Sequence, residues 1–320
     1  MKNKLLFLLA VLTVNLVFGQ QTEKIDYYNC LDKIEQISPV LKGKYERTCK
    51  GTLIEKGEFE NSLKIGVWTT YSRTGKIIRK LNYENGLLNG KVELFYLNGK
   101  IKLTGEFDKG KKIGKWTYFT EKGPIFIEGN YVVNKPTGIW TINDKKGKKA
   151  VVQYDFDLKK YILNGQPSFY KDNDVFQNDN TEEWYILRMP NLNYSSKTAP
   201  LGGYKFANYM FIQLVEVPEN FWDTYLYRKY KVSYSISADN DVACNTQLIL
   251  DKYPDNQLEC LYLIKTNPTE KIKKIEFTDF QLQLLDFKTK ETLNLMPPWV
   301  FEEESEVDIY LHYVINQNIN

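Results

Sequence analysis

The sequence predicts a mainly β protein, a meandering sheet of stacked 24-residue β-hairpin repeats followed by a small α+β domain. Three observations predict it. Glycines recur 24 residues apart at Gly66, Gly90, Gly114 and Gly138, and again at Gly75, Gly99, Gly123 and Gly147. Aromatic residues keep the same period at Phe59, Tyr83, Phe107 and Tyr131, while Trp68, Trp116 and Trp140 share a further register in which Val92 stands once. Between the glycines, apolar positions alternate with period two, as in Ile101, Leu103, Gly105 and Phe107. Registers locked to one period over about 50–150 define a repeat array, whose units bury their faces against one another. Arrays of this kind bind or scaffold.

The chain opens with Lys2 and Lys4, then the apolar run Leu5–Phe18, then Gly19 before Gln20-Gln21. That order is the pattern of a secretory signal over 1–19, with cleavage expected after Gly19. The run is shorter than the ~20 residues a membrane-spanning helix needs, so no integral span is expected after cleavage. The expected location is the periplasm or the outer cell surface. In an exported chain four cysteines permit two disulfides, and proximity favours Cys30 with Cys49 and Cys244 with Cys260. Four buried thiols are the other reading. The segment 20–50 ahead of the array admits a helix.

Each 24-mer over 51–156 reads as one hairpin. The aromatic segment Val67–Tyr71, repeated at Val92–Tyr96 and Lys115–Phe119, is one strand, and the alternating segment after the turn is the other. Arg73-Thr74-Gly75-Lys76, Leu97-Asn98-Gly99-Lys100 and Glu121-Lys122-Gly123 supply tight turns, and Glu84-Asn85-Gly86 and Asp108-Lys109-Gly110 the returns. The tryptophans line one face, either as packing or as a ligand platform. After Gly147 the apolar register shifts to Val152, Tyr154 and Phe156, which reads as a capping unit.

Charge is divided unevenly. Lys42–Lys149 holds 23 Lys+Arg against 11 Asp+Glu, whereas Val151–Asn320 holds 16 against 25. A basic array attracts an anionic partner, docks on the acidic half, or keeps an exposed sheet soluble and its edges guarded.

The segment 157–195 is polar and turn-rich and reads as a linker or long loop. Over 196–320, Gly202-Gly203 precedes a short amphipathic helix, Tyr204–Val215, with Phe206, Tyr209, Met210 and Leu214 at helical spacing before Pro218. Strands are expected at Tyr230–Ser237, within Ile275–Phe287, and from Val307 to Ile315 after Pro297-Pro298-Trp299.

Chemistry-bearing motifs are sparse. His312 is the one histidine, so Ser-His and Cys-His machinery has a single candidate base, and no phosphate-binding loop or dinucleotide fingerprint occurs. No enzyme activity, cofactor, metal or nucleic-acid partner is expected. A carboxylate-based glycan-acting enzyme is the enzymatic alternative, with Glu302-Glu303-Glu304 reading as a solvated loop.

Gly66-Val67-Trp68-Thr69-Thr70-Tyr71, Asn98-Gly99-Lys100 and Gly105-Glu106-Phe107 resemble the MORN-variant repeat family, whose unit runs Gly-x-Trp-x-x-Tyr, a turn Asn-Gly-Lys and a Gly-Glu-Tyr/Phe strand. The resemblance implies a hairpin array. Some bacterial members carry an antitoxin label, and other MORN proteins scaffold assemblies or approach membrane lipids. The order Gly202-Gly203, Phe206, Tyr209, Pro218, Val232, Tyr234, Ile236, Pro297 and Trp299 is similar to the C-terminal domain of the TonB family. It differs in carrying Asn240-Asp241 for the glycine turn and in lacking Pro-Gly after Trp299. That likeness implies an α+β fold that takes partner segments by strand addition. The sequence thus supports an exported envelope protein that binds or scaffolds through its basic, aromatic-rich array. Its partner would be an envelope protein or an anionic envelope component. In the alternative, the C-terminal domain recruits partners and the repeats act as a spacer.

Overall fold

The structure is a computed structural model describing residues 21–25, 30–36, 39–167, 175–177, 184–186, 198–214, 226–228, 230–231, 234–236, 242–243, 249–250, 288, 291–301, 307–309 and 313–316. The expected signal sequence, Cys244, Cys260, Pro218, Ile275–Phe287, Glu302-Glu303-Glu304 and His312 lie outside the described residues. The chain divides into two compact units, Met1–Lys149 and Ala150–Asn320.

The first unit is an antiparallel meander in strict sequence order. Its strands are β1 (Gln21–Ile25), β2 (Cys30–Gln36), β3 (Lys42–Cys49), β4 (Thr52–Glu60), β5 (Leu63–Tyr71) and β6 (Ile77–Glu84). They continue as β7 (Leu87–Phe95), β8 (Ile101–Asp108), β9 (Lys111–Phe119), β10 (Ile125–Val132) and β11 (Lys135–Asn143). Consecutive hairpins of 24 residues are what the glycine and aromatic registers require, and the meander provides them.

Among the described residues of 20–50 no helix forms. That segment is β1, β2 and β3, because Asp32 and Ile34 alternate onto one face and pair with Arg47 and Tyr45 of β3. Cys49 is disulfide-bonded, and Cys30 is its neighbour in the β2–β3 backbone register.

Two kinds of turn alternate along the meander. Asn85-Gly86 and Lys109-Gly110 are two-residue returns with both residues at positive φ, the backbone twist that matches paired strands. At the other edge, the Gly75 amide donates to the Ser72 carbonyl at 2.9 Å, closing a turn that needs positive φ at its last residue. The returns are also stitched to one another. The amides of Gly86, Gly110 and Asn134 donate to the carbonyls of Lys64, Leu88 and Lys112 in the preceding unit, at 2.7–2.9 Å.

The glycine before each tryptophan has a separate job. Gly114 sits at φ 62° inside β9, and there residues 114–116 lie opposite Gly105 alone. This bulge swings Trp116 across the neighbouring strand. The same interruption recurs between β4 and β5 and between β10 and β11.

As a result, each indole lies flat against a glycine. A Cβ on Gly57, Gly105 or Gly129 would fall inside van der Waals contact with the ring of Trp68, Trp116 or Trp140. Crossing β4 to β11, one row therefore reads Gly57, Trp68, Leu81, Val92, Gly105, Trp116, Gly129, Trp140. Where Val replaces Trp at 92, Leu replaces Gly at 81. Two medium side chains fill the volume of one large and one absent, which keeps the row at close-packed density.

A second row of rings locks onto the first. Phe107 meets Trp116 edge-on at 5.2 Å, Trp116 meets Tyr131 at 5.8 Å, and Tyr131 meets Trp140 at 4.9 Å. Phe59 and Trp68 do the same at 4.9 Å. Such pairs add about 0.5–1.5 kcal/mol each beyond area burial. The three tryptophans are no more than 2% exposed, so they are packing elements and not a ligand platform.

The second unit opens with a hairpin, β12 (Ala150–Asp155) and β13 (Lys160–Asn164), in which Tyr154 stacks edge-on with Tyr161 and Phe156. The linker expected over 157–195 is thus shorter than its composition implies. β13 occupies its start, and Val175–Gln177 pairs with Trp184–Ile186 within it. Aromatic and β-branched residues in both short segments favour strand over loop. The expected helix is present as α1, Tyr204–Leu214, with Phe206, Met210 and Leu214 buried at four-residue spacing. Thr198–Pro200 pairs with Trp299–Phe301, and the Leu201 amide donates to the Pro298 carbonyl at 3.2 Å. Of the expected strand Tyr230–Ser237, the described parts are Tyr230–Lys231 and Tyr234–Ile236, the latter paired with Val307–Ile309.

Because Trp140 is fully buried and cannot retreat, Gly129→Ala is expected to lower stability by about 1–3 kcal/mol. Denaturant unfolding of the variant beside wild type measures it.

Candidate binding surface

The array presents a closed face, an open face and two turn edges. On the closed face, β7–β11 contribute Leu94, Leu103, Tyr118, Ile127 and Ile142, all at most 4% exposed. The matching positions nearer the N-terminus are charged. Asp32 accepts a hydrogen bond from the Tyr45 hydroxyl at 2.9 Å and faces the Arg47 guanidinium at 3.8 Å. Lys64 meets Glu55 at 3.5 Å and stands 3.7 Å over the Trp68 ring. Burial pushes the Asp32 carboxyl above its ordinary value, opposed by Arg47 and by the Tyr45 hydrogen bond. Burial, with Asp32 beside it, also drives the Tyr45 hydroxyl well up. Deeper in the array, Lys112 is buried and extends 4.4 Å above the Tyr131 ring, with its ammonium 3.3 Å from the Tyr131 hydroxyl. These cations are enclosed by rings and carboxylates, so they belong to the packing.

The open face is mixed in charge. Lys91 pairs with Glu93 at 2.6 Å and Lys115 with Glu128 at 2.7 Å. A shallow cavity of about 490 Å³ lies here, lined by Lys56, Val67, Thr69, Tyr71, Lys80 and Asn82 among others. Lys56 stands 5.8 Å over the Tyr71 ring. Val67 and Ile77, both exposed, line the same cavity, and Ile139 is exposed farther along the array.

The edge that carries the glycine turns is different. Four successive turns present Arg73 and Lys76, then Lys100, then Lys122, then Lys145, Lys146, Lys148 and Lys149, all exposed. The acids among them are Glu121 and Asp144. Asp144 is committed to its own turn, where its Oδ1 accepts the amides of Lys148 at 2.9 Å and Lys146 at 3.1 Å. Those amide hydrogen bonds hold its carboxyl below the ordinary value. Among the described residues, Lys76, Lys122, Lys145, Lys148 and Lys149 have no carboxylate within ion-pair distance. The opposite edge, by contrast, carries both signs, with Glu60, Glu84 and Asp108 followed by Lys109, Lys111 and Lys135.

Neighbouring glycine turns are held in place. Asn98 Nδ2 donates to the Glu121 carbonyl at 3.2 Å, Lys100 Nζ to the Lys122 carbonyl at 3.0 Å, and Asn143 Nδ2 to the Ile125 carbonyl at 3.2 Å. The result is a ridge of cations crossing the strands, with turns about 10 Å apart, twice the strand spacing.

The repeat-defining residues named from the sequence divide accordingly. Trp68, Trp116, Trp140, Phe107 and Tyr131 build the interior, and Gly105 and Gly129 receive the indoles. Gly66, Gly90, Gly114 and Gly138 sit at positive φ within their strands, and Gly75, Gly99, Gly123 and Gly147 close the ridge turns. Tyr71 is half-buried on the open face. The tryptophans, Phe107 and Tyr131 of the array thus point inward, Tyr71 stays partly open, and the lysines at the turns lie outside. Among the described residues no cluster of three or more metal-ligating side chains occurs, and no helix is long and apolar enough to cross a membrane.

No family model matches the chain, and no curated protein matches it. Among solved structures, the crystal structure of TarM shares 14% identity over 46% of this chain and 21% of its own length, at a TM-score of 0.14. A score that low carries no argument about fold or function.

The pH dependence of the last turn follows from Asp144. Its carboxyl is lower in the folded state than in the unfolded chain, so the stability it contributes is present above the unfolded value and is lost as pH falls through the folded one. Asp144→Ala is expected to lower the unfolding temperature at neutral pH, with the difference from wild type shrinking as pH drops below 3.8. Thermal melts of both proteins across that range measure it.

Proposed function

We propose that the protein is an exported binding or scaffolding module of the cell envelope that engages an anionic envelope component through its hairpin array. One observation carries the reading. On the open face Lys91 and Lys115 pair with carboxylates and Lys56 and Lys80 stand over aromatic rings, whereas the cations of the glycine-turn ridge are all exposed along one edge, five of them without a carboxylate at ion-pair distance among the described residues. Solubility alone calls for scattered charge of both signs, as on the opposite edge. A row with eight cations against two acids raises the local concentration of anions and favours their association. The module acts by binding, with the buried aromatic rows setting the geometry and the ridge making the contact.

The test is retention of the full mature chain on an immobilised polyanion and on envelope material, at low and moderate salt. Wild type is expected to be retained at low salt and released as salt rises, because screening and counterion competition weaken exposed contacts. Removing half of the ridge cations with Arg73→Gln, Lys76→Gln, Lys100→Gln and Lys122→Gln is expected to release the protein at markedly lower salt. Retention unchanged by those substitutions would contradict the assignment of the surface. The export half is tested by mass spectrometry of protein from the envelope fraction, which is expected to begin at Gln20.

A further inference from the structure

We propose that the glycine-turn ridge holds a linear acidic polysaccharide laid across the strands, one turn to each disaccharide; this rests on reading the array as an anion-binding module. Spacing is the first argument. The turns repeat about every 10 Å, and two linked pyranose rings of an extended glycan span about that length. A polymer with one carboxylate per disaccharide therefore meets a cation at every turn without bending.

The shape of each turn is the second argument. Gly75, Gly99 and Gly123 form the tips, and a Cβ built on any of them would meet no atom within 4 Å. At those three tips the ridge offers bare backbone, open to an uncharged ring, whereas Gly147 of the fourth turn packs against Pro124. The hydrogen bonds from Asn98 and Lys100 to the following turn fix that spacing in advance, so ordering costs on binding are small.

The side-chain chemistry is the third. The ridge cations are lysines except for Arg73. Lysine is a point charge with rotatable donors, suited to single carboxylates and hydroxyls and not to the two-pronged planar recognition that arginine provides. The turns contain no aromatic residue between Arg73 and Lys76, Leu97 and Lys100, Glu121 and Gly123, or Asp144 and Lys149. Binding of single-stranded nucleic acid relies on such rings as stacking platforms. The cations also lie along one edge of the sheet, whereas a bilayer presents anions in two dimensions.

The experiment uses the full mature chain with four probes, namely hyaluronan oligomers of increasing length, alginate oligomers, oligothymidylate, and vesicles containing phosphatidylglycerol. Affinity for hyaluronan is expected to rise with length and level off at four disaccharides, one for each turn. The central pair Lys100→Gln and Lys122→Gln is expected to lose about tenfold in affinity. Lys→Arg at both positions is expected to restore it, and the open-face pair Lys91→Gln and Lys115→Gln to leave it unchanged. Circular dichroism confirms that each variant is folded. Equal loss from the open-face pair, no dependence on oligomer length, or tighter binding to alginate, oligothymidylate or vesicles would each overturn the glycan assignment. Failure to bind any of the four anions would overturn the anion-binding reading as well.

Discussion

An indole ring seated on a glycine of the neighbouring strand is the contact on which this structure depends. Trp116 can cover Gly105 only because Gly105 lacks a Cβ and because the bulge at Gly114 carries the tryptophan across the ladder. Shifting a strand by one residue would place the indole against a side chain and send the aromatic rows to the open face. The interlock therefore selects the register as well as filling the interior. Leu81 and Val92 show that volume is the conserved quantity. The pair departs from the glycine–tryptophan pattern at both positions together, and the row stays closed, with Val92 wholly buried.

From register follows the placement of everything exposed. Each strand ends at the same level as its equivalent one unit earlier, so each glycine turn lands beside the next, close enough for Asn98 and Lys100 to reach the turn after them. The cations of those turns are then aligned by the interior, with no contact of their own needed to align them. The buried charges near the N-terminal end play another part. Asp32, Arg47 and Glu55 take the row that Leu103 and Ile127 occupy farther along, with Asp32 bonded to Tyr45 and facing Arg47, and Glu55 meeting Lys64. Such groups tolerate burial only as a set, which ties β2 and β3 to the array.

Much of this was readable in the sequence. Period 24, the hairpin turns and the placing of the tryptophans on one face follow from the glycine and aromatic registers alone. Three features did not follow. Strands β2 and β3 carry charged residues on their inner face, so no apolar alternation marks them. The return at Val133-Asn134 takes positive φ with a β-branched residue and no glycine, a combination that turn chemistry does not suggest. The ridge was hidden for a different reason. A count of charges along Lys42–Lys149 shows an excess but not which edge bears it, and that depends on how far each strand runs before it turns. Helix α1 was plain from its four-residue apolar spacing, whereas the short segments Val175–Gln177 and Trp184–Ile186 were masked by the polar residues around them.

The interlock is tested most directly by rebuilding one glycine–tryptophan pair as its natural substitute. Gly105→Leu and Trp116→Val, made singly and together, would be compared by denaturant unfolding. If paired volume sets the register, each single change is strongly destabilising. The double variant then recovers a large part of the loss, with a coupling of about 1–3 kcal/mol. Additive losses, with no recovery in the double variant, would contradict the account and show that the indole and the glycine contribute independently.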